Sequence, residues 1–371
     1  MPLSALTATS PWRDRAAAFT LLVALLGTIS FFASRQRMPD SYWYTNTAER
    51  TIVPGCAEIH CYRVLVPWIV GVLPGTTFLK WRAYSVVVNA LAAIAVSDLA
   101  LAFGLSRRAA TIAMFTSALG FGAQFTIYDP FNADPLMFFL SPLVTRWLLE
   151  RRWRASAAVA CVAVLAKEFV VAPIVIFGLA SARAADWLTA RRAFAIAGAA
   201  FAIWVGVQAF LTMHFGYSYG GNPSTHLASG GYLWFWLTHE SVRQSVFAQF
   251  AEFGALYLLA PVGWRRAPVV LKALTIAAVP VACVFAYVQQ PDRALWNFHF
   301  LVSPLAALAL EPAGAALTAL FLTTFGLANL RIGSQVEFLP QARFPLVISL
   351  AIAVATVTLN VRQQRARRLA G

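Results

Sequence analysis

Long runs of apolar residues, separated by short clusters of arginine, constrain this chain more than any other feature of its sequence. A helix needs about 20 apolar residues to cross the hydrocarbon core of a bilayer. Such runs recur from residue 16 to residue 361. Hydrophobic residues make up 60% of the chain and charged residues only 12%, with a mean hydropathy of +0.67. That composition excludes an ordinary soluble enzyme and a disordered chain. We therefore predict an all-α polytopic membrane protein.

The apolar runs divide the chain into candidate spans within one transmembrane domain, residues 1–371, with no soluble domain. We predict about twelve transmembrane helices, several of them short. A further run at 64–79 is interrupted by Pro67, Pro74 and Gly75, which favours an amphipathic helix lying at the membrane surface. The predicted spans are 16–34, 82–105, 109–128, 135–149, 155–181 (a hairpin of two short helices), 193–213, 243–263, 271–289, 295–310, 314–330 and 343–361.

The segment 155–181 determines the topology. As one helix it would be about 40 Å long, and it would bury Lys167 and Glu168 in the middle of the membrane, which is costly. As two short helices it forms a hairpin with both flanking arginine clusters on one side. Lys and Arg then concentrate on the cytoplasmic side, as the positive-inside rule requires. We therefore predict a hairpin whose tip faces the outer side, with both chain termini cytoplasmic.

Charged residues are distributed unevenly between the two predicted sides of the membrane. The net charge of +14 comes from short arginine clusters between apolar runs, a pattern typical of cytoplasmic loops and not of a nucleic-acid-binding surface. Acidic residues gather on the outer side, although membrane insertion does not require this. We infer that some of them serve a function. The outer acids are Asp40, Glu49, Glu58, Asp129, Asp134, Glu168, Glu240, Asp292 and Glu337.

Two predicted outer loops are long, 35–81 and 214–242. Asp40 opens the first loop beside an aromatic cluster that includes Tyr42. A carboxylate next to aromatic rings could hold a sugar and act as a base or a metal ligand, and the alternative is an interfacial aromatic belt with one solvated Asp. Arg63 heads the interfacial helix, where it could bind a phosphate, pair with an acid such as Asp40, or anchor the helix to lipid headgroups.

The four cysteines are too few for a disulfide framework. Cys161 and Cys283 lie in apolar runs, where cysteine behaves as a small hydrophobe. Cys56 and Cys61 flank a polar stretch of the first outer loop and can form a disulfide if that loop faces an oxidising compartment. The spacing alone leaves open whether they are bridged.

Two carboxylates lie in the short outer turn between the third and fourth spans, each directly before a proline. Asp134 could simply cap the following helix, whereas Asp129 has no such role, and we expect a function for it. Lys167-Glu168 at the hairpin tip is the most specific signal. A charged pair at that depth is costly unless it lines an aqueous cavity, so we predict that Lys167 binds a lipid phosphate or pyrophosphate and that Glu168 orients it. A self-contained structural ion pair is the alternative.

The remaining polar candidates belong to the predicted spans. Arg293 precedes a span whose first turn carries His299 among aromatic residues, and His299 is either a functional group or a satisfied core residue. Asp98 and Glu252 lie inside predicted spans. The sequence contains no HExxH, Walker A, paired-cysteine zinc or GxSxG motif, so it offers no support for the chemistries that those motifs carry.

This layout resembles the GT-C superfamily of polytopic membrane glycosyltransferases, which use polyprenyl-phosphate sugars as donors. The resemblance spans about residues 16–310 and lies in the order of the features along the chain. The features are an Asp after the first helix (Asp40), an interfacial helix with a leading Arg (Tyr62–Pro67), an acidic turn between spans 3 and 4 (Asp129, Asp134) and a basic short-helix hairpin (Ala166–Glu168).

The resemblance implies an inverting hexosyl- or pentosyltransferase of the cell envelope, acting at the outer face of a bacterial-type inner (plasma) membrane. Asp40 would be the catalytic base or a metal ligand, and the donor phosphate would be held by Lys167, Arg63 and Arg293. Also in the substrate site would be Tyr42, Asp129, Asp134, Glu168 and His299. The implied partners are a polyprenyl-phosphate sugar donor, a lipid or glycan acceptor and membrane lipids, with no nucleic acid. A divalent metal is possible, although the first loop lacks a DxD or ExD pair, and no other cofactor is implied.

Two other classes of function stay open at this point. A transporter or lipid flippase would suit the discontinuous helices and the intramembrane acids Asp98 and Glu252. Against it, the polar groups gather on one side of the membrane, and the sequence shows no internal repeat. A non-catalytic membrane scaffold gives no reason for a charged pair at a hairpin tip. The sequence therefore favours the transferase.

Overall fold

A computed structural model of the chain describes residues 12–33, 40–218, 250, 252–288, 295–330 and 343–369. All regular secondary structure in those ranges is helical. Short 3₁₀ helices lie at Ile59–Tyr62, Glu168–Val170 and Leu295–Phe298. The α-helices are α1 (Trp12–Phe32), α2 (Asp40–Arg50), α3 (Leu65–Gly71), α4 (Thr77–Ala102), α5 (Arg107–Leu119), α6 (Phe121–Tyr128), α7 (Asp134–Leu149), α8 (Trp153–Ala163), α9 (Val171–Arg183), α10 (Trp187–Phe215), α11 (Leu256–Trp264), α12 (Val269–Val288), α13 (His299–Leu310), α14 (Ala315–Asn329) and α15 (Arg343–Leu369).

The prediction of an all-α, multi-pass membrane protein is confirmed. Within the described ranges, five helical segments are long and apolar enough to cross a membrane, with α5 and α6 counted as one segment. Shorter apolar helices include α8, α12, α13 and α14. The total of about twelve spans stays a prediction. The interfacial helix α3 ends at Gly71 and α4 already begins at Thr77, so the predicted run at 64–79 is divided between two helices.

The segment 155–181 consists of two short helices, α8 and α9, joined through Val164–Lys167 and a 3₁₀ turn. The start of α8 packs against the middle of α9, where the ring centroids of Trp153 and Phe177 are 6.2 Å apart, and Arg151, just before α8, lines the same recess as Ser181 and Ala184 at the end of α9. The guanidinium of Arg192, near the start of α10, lies 5.8 Å from the Trp153 ring centroid. Both ends of the hairpin and the start of α10 are therefore on one side of the bundle, and the tip points to the other.

Ion pairs on the side that holds both ends of the hairpin tie three helices together. Asp98 near the end of α4 accepts hydrogen bonds from Arg15 near the start of α1 (3.0 Å) and from Arg146 near the end of α7 (2.8 Å). Arg146 also pairs with Glu150 at 2.6 Å. We call this side, which includes Arg15, Arg146 and Arg192, the arginine-rich end. The opposite side, around Lys167, is the hairpin-tip end.

Two glycines create the space that a large aromatic residue fills. A Cβ atom added to Gly120 or Gly122 would overlap the indole of Trp296, which is buried. Gly120 has an extended backbone and separates α5 from α6, so the predicted span 109–128 is broken there. Trp296 stacks on His299, with ring centroids 5.5 Å apart and planes 10° from parallel. The glycines therefore help to position the first turn of α13.

We predict that Gly122→Ala destabilises the protein by about 1–3 kcal/mol, the usual cost of overpacking a filled core. Gly198→Ala on α10 is the matched control, because a Cβ there meets nothing within 4 Å. Thermal unfolding of the two variants in detergent would measure the difference. Equal midpoints for both variants would contradict the packing described for Trp296.

A second prediction concerns sidedness. Thr76 and Ala184 are both exposed, and they lie at the hairpin-tip end and the arginine-rich end respectively. In a chain with Cys161 and Cys283 replaced by serine, we expect Thr76→Cys to react with an impermeant maleimide added outside intact cells. Ala184→Cys should react only after permeabilisation. Labelling of both cysteines from the same side would contradict the two-ended arrangement.

Candidate functional site

A buried ion pair joins the hairpin tip to the start of α7. The ammonium of Lys167 bonds the carboxylate of Asp134, and the two residues are only 1% and 6% exposed. Lys167 has an extended backbone between α8 and the 3₁₀ turn, and its Nζ atom lies 5.1 Å from the ring centroid of Phe169. Each charge would be costly at this depth alone, so each requires its partner. Lys167 therefore pairs with Asp134, whereas the sequence predicted that Glu168 would orient it.

A second ion pair lies next to the first. Arg63, which precedes α3, donates to the carboxylate of Glu168 through Nη2 (2.7 Å) and Nε (3.4 Å). Tyr44 of α2 is also a hydrogen-bond partner of Arg63. The two charged side chains are 12% and 23% exposed, so this pair is more accessible than the first. The sequence left open whether Arg63 binds a phosphate, pairs with an acid such as Asp40 or anchors the helix to lipid headgroups. The structure shows pairing with an acid, and that acid is Glu168.

The pairing keeps both groups charged. Burial opposes the charge of Arg63, but the Glu168 carboxylate outweighs it and raises the guanidinium pKa above its ordinary value. The Glu168 carboxylate in turn has the guanidinium of Arg63 as its partner, so burial leaves neither charge uncompensated.

Backbone contacts hold the first loop against the hairpin and α10. The amide of Leu65 donates to the carbonyl of Leu165 at the hairpin tip (3.2 Å). Cys56 and Cys61 are disulfide-bonded. The amide of Ser218 donates to the carbonyl of Cys56 (2.9 Å), beyond the end of α10. These contacts place Arg63 over the hairpin tip.

The turn before α7 leaves the carboxylate of Asp134 available to Lys167. Asn132 Oδ1 accepts a hydrogen bond from the amide of Asp134 (2.9 Å), and the Tyr84 hydroxyl accepts one from the amide of Leu136 (3.3 Å). Other side chains therefore satisfy the first amides of the helix, a role that the sequence had left open for Asp134 itself. Asp129 is buried in the same turn. Sequence analysis missed Tyr84, because nothing distinguishes it from other aromatic residues in an apolar run.

His299 adjoins this cluster through an aromatic contact. It is 0% exposed, its Nδ1 lies 3.0 Å from the carbonyl oxygen of Trp296, and its ring centroid lies 5.5 Å from that of Phe138. Phe138 is one turn beyond Asp134 on α7. Among the described residues, no hydrogen-bond partner lies near Nε2 of His299. That atom is therefore a buried polar group, and the rings packed around the imidazole are those of Phe138, Trp296 and Phe300.

The structure brings together four of the residues that the sequence singled out: Arg63, Asp134, Lys167 and Glu168. Asp129 is buried in the turn that precedes Asp134, and His299 contacts Phe138, one turn further along α7. Tyr42 is exposed on α2, where it packs against Trp43, and Tyr44 is instead the aromatic residue that reaches Arg63. Asp40 is the first residue of α2, but its side chain lies outside the described part of the chain, as does all of Arg293.

A metal site has no support from the described residues. No three His, Cys, Asp or Glu side chains among them are close enough to share a metal ion. Asp134 and Glu168 each bind a basic partner. We therefore derive no step through a metal.

Two solved structures share this fold. ArnT from Cupriavidus metallidurans, bound to undecaprenyl phosphate, matches with a TM-score of 0.57 and 13% identity, over 94% of this chain and 77% of that one. The Archaeoglobus fulgidus oligosaccharyltransferase, tethered to an acceptor peptide containing the NVT sequon, matches with a TM-score of 0.51 and 15% identity, over 95% of this chain. This chain covers 55% of the archaeal enzyme. No protein-family model and no curated protein sequence matches the chain.

At these identities the likeness shows the fold. The chain shares its fold with ArnT and with the archaeal oligosaccharyltransferase, so the resemblance predicted from the sequence is confirmed at the level of the fold. The similarity to ArnT extends over nearly all of this chain.

The Lys167–Asp134 pair generates a stability prediction. Lys167→Met deprives Asp134 of its ammonium partner and should destabilise the protein by about 3–5 kcal/mol. The double variant Lys167→Met with Asp134→Asn removes both charges, and we expect it to recover part of that loss. Thermal unfolding of both single variants and the double variant gives the coupling energy. Additive losses would show that the pair is not coupled.

Proposed function

We propose that this protein is a membrane glycosyltransferase that moves a hexosyl or pentosyl group from a polyprenyl-phosphate donor to a lipid or glycan acceptor at the outer face of the membrane. The observation that carries the proposal is the cluster of Arg63, Glu168, Lys167 and Asp134 at the hairpin-tip end. The shared fold supports it, since ArnT was solved with undecaprenyl phosphate.

Arg63 is the residue best suited to contact the donor phosphate. Its side chain is partly accessible, and a phosphate can replace the Glu168 carboxylate in the same bidentate geometry. Lys167 is buried, so we assign it a different role from Arg63. It holds the tip against α7 and adds positive potential beneath the phosphate. We keep Arg293 as a candidate second contact on the basis of the sequence alone.

Asp40 is proposed as the general base. It begins α2, the helix that also carries Tyr44 to Arg63. In the proposed reaction Asp40 takes the proton of an acceptor hydroxyl, and the hydroxyl oxygen attacks the anomeric carbon of the sugar. The bond from that carbon to the phosphate oxygen breaks, and the electron pair leaves with the lipid phosphate. Arg63 and Lys167 stabilise the charge that develops there. This single displacement inverts the anomeric configuration.

The transporter alternative loses one of its arguments. Asp98, an intramembrane acid that suited a transport pathway, is bonded to Arg15 and Arg146 in the ion-pair network of the arginine-rich end. That network ties α1, α4 and α7 together and needs no transported solute to explain it.

We predict that Asp40→Asn lowers the rate of sugar transfer about a hundredfold to ten-thousandfold, the usual range for loss of a general base. Binding of the donor should be unchanged, because its phosphate contacts lie elsewhere. Glu49→Gln is the matched control, since Glu49 is exposed on the same helix and its loss removes the same charge. The assays are transfer from a polyprenyl-phosphate sugar in nanodiscs and donor binding to each variant.

Undiminished turnover by a folded Asp40→Asn protein would remove Asp40 from the mechanism. An unmodified protein that transfers sugar from no polyprenyl-phosphate donor, yet moves a solute across liposomes, would replace the transferase with a transporter.

A further inference from the structure

A recess opens at the arginine-rich end, on the far side of the hairpin from the proposed donor site. It has a volume of about 230 Å³ and lies between the ends of α7 and α9 and the starts of α8, α10 and α12. Most of its lining is apolar. The apolar residues that matter here are Trp153, Phe177, Ala180, Val270, Ala273 and Leu274.

The rim of this recess is polar and carries an excess of positive charge. Arg151 and Asp186 both lie on it. The guanidinium of Arg192 stands 5.8 Å from the ring centroid of Trp153, which forms part of the wall. Asp186 accepts a hydrogen bond from the amide of Thr189 (3.2 Å) and caps α10, so its carboxylate already has a role. The rim therefore carries the positive charges of Arg151 and Arg192 against the single negative charge of Asp186, whose carboxylate already caps α10.

The surroundings of the recess place it at the membrane surface. Trp187, Leu188 and Val269 are large, apolar and exposed beside it. Exposed aromatic and aliphatic groups next to arginine are typical of the boundary between hydrocarbon and headgroups. A mostly apolar recess in such a position is filled more favourably by an acyl chain than by water, which finds few hydrogen-bond partners there.

We propose that this recess binds an anionic glycerophospholipid, with one acyl chain against Ala273 and Leu274 and the phosphate between Arg151 and Arg192. The charge excess at the rim fits a lipid phosphate, and basic pockets between transmembrane helices bind anionic headgroups. The apolar wall distinguishes a lipid from a soluble phosphate, which would make no use of it. This site lies at the opposite end of the hairpin from the proposed donor site and does not depend on the transferase proposal.

The test is native mass spectrometry of the full chain in mild detergent, titrated with phosphatidylglycerol or with zwitterionic phosphatidylcholine. We expect tighter binding of phosphatidylglycerol. Arg151→Gln with Arg192→Gln should weaken it about twenty-five-fold, at about fivefold for each arginine near a headgroup. Arg107→Gln with Arg191→Gln is the matched control, because both residues are exposed at the same end and, in the described part of the chain, neither lines the recess as Arg151 does nor lies over the ring of Trp153 as Arg192 does.

A cavity-filling variant tests the apolar part separately. Ala273→Phe should reduce binding of both lipids, and an unchanged unfolding temperature without added lipid would show that the fold is intact. Equal losses in the two double-arginine variants would overturn the proposal, because they would indicate diffuse surface attraction. Glycerol phosphate competing as well as the whole lipid would also overturn it, since the acyl chain would then contribute nothing.

Discussion

The buried bond between Lys167 and Asp134 is the interaction on which the hairpin-tip end depends. It joins the tip of α8–α9 to the turn before α7, two segments that also pack together through Phe131, Ala133 and Ala166. Asn132 and Tyr84 accept hydrogen bonds from the first amides of α7 and so leave the Asp134 carboxylate to the ammonium. A buried lysine without that carboxylate would be an uncompensated charge in the apolar interior, which is strongly destabilising.

The second ion pair builds on the first. Once the tip is fixed, Glu168 points toward the first loop and meets Arg63, which the disulfide loop and the Leu65–Leu165 hydrogen bond hold in place. Loop, turn and hairpin, widely separated in sequence, thus converge on one small polar cluster within a largely apolar bundle. The two pairs differ in accessibility. The Arg63–Glu168 pair is partly exposed, so Arg63 can exchange its partner, whereas the buried Lys167–Asp134 pair stabilises the structure.

Much of the architecture could be predicted from the sequence, because the bilayer limits the choices. Apolar length predicted the helices, and the depth of Lys167 within 155–181 predicted a break rather than one long span. The partners of the charges could not be predicted in the same way. Lys167 stands beside Glu168 in sequence yet bonds Asp134, because pairing depends on which helices touch. The insertion of Trp296 between two glycines is likewise a matter of side-chain shape, which leaves no periodic signal.

The brevity of the hairpin has a mechanical consequence for the membrane around it. Helices α8 and α9 have 11 and 13 residues, whereas the adjacent α10 has 29. At 1.5 Å per residue each limb is shorter than about 20 Å, against a hydrocarbon thickness of about 30 Å. Lipids that face the hairpin must shorten or tilt to match it, so the bilayer should dimple at that spot. A lipid that lies in such a dimple reaches the charged tip from the side with its headgroup, without leaving its leaflet.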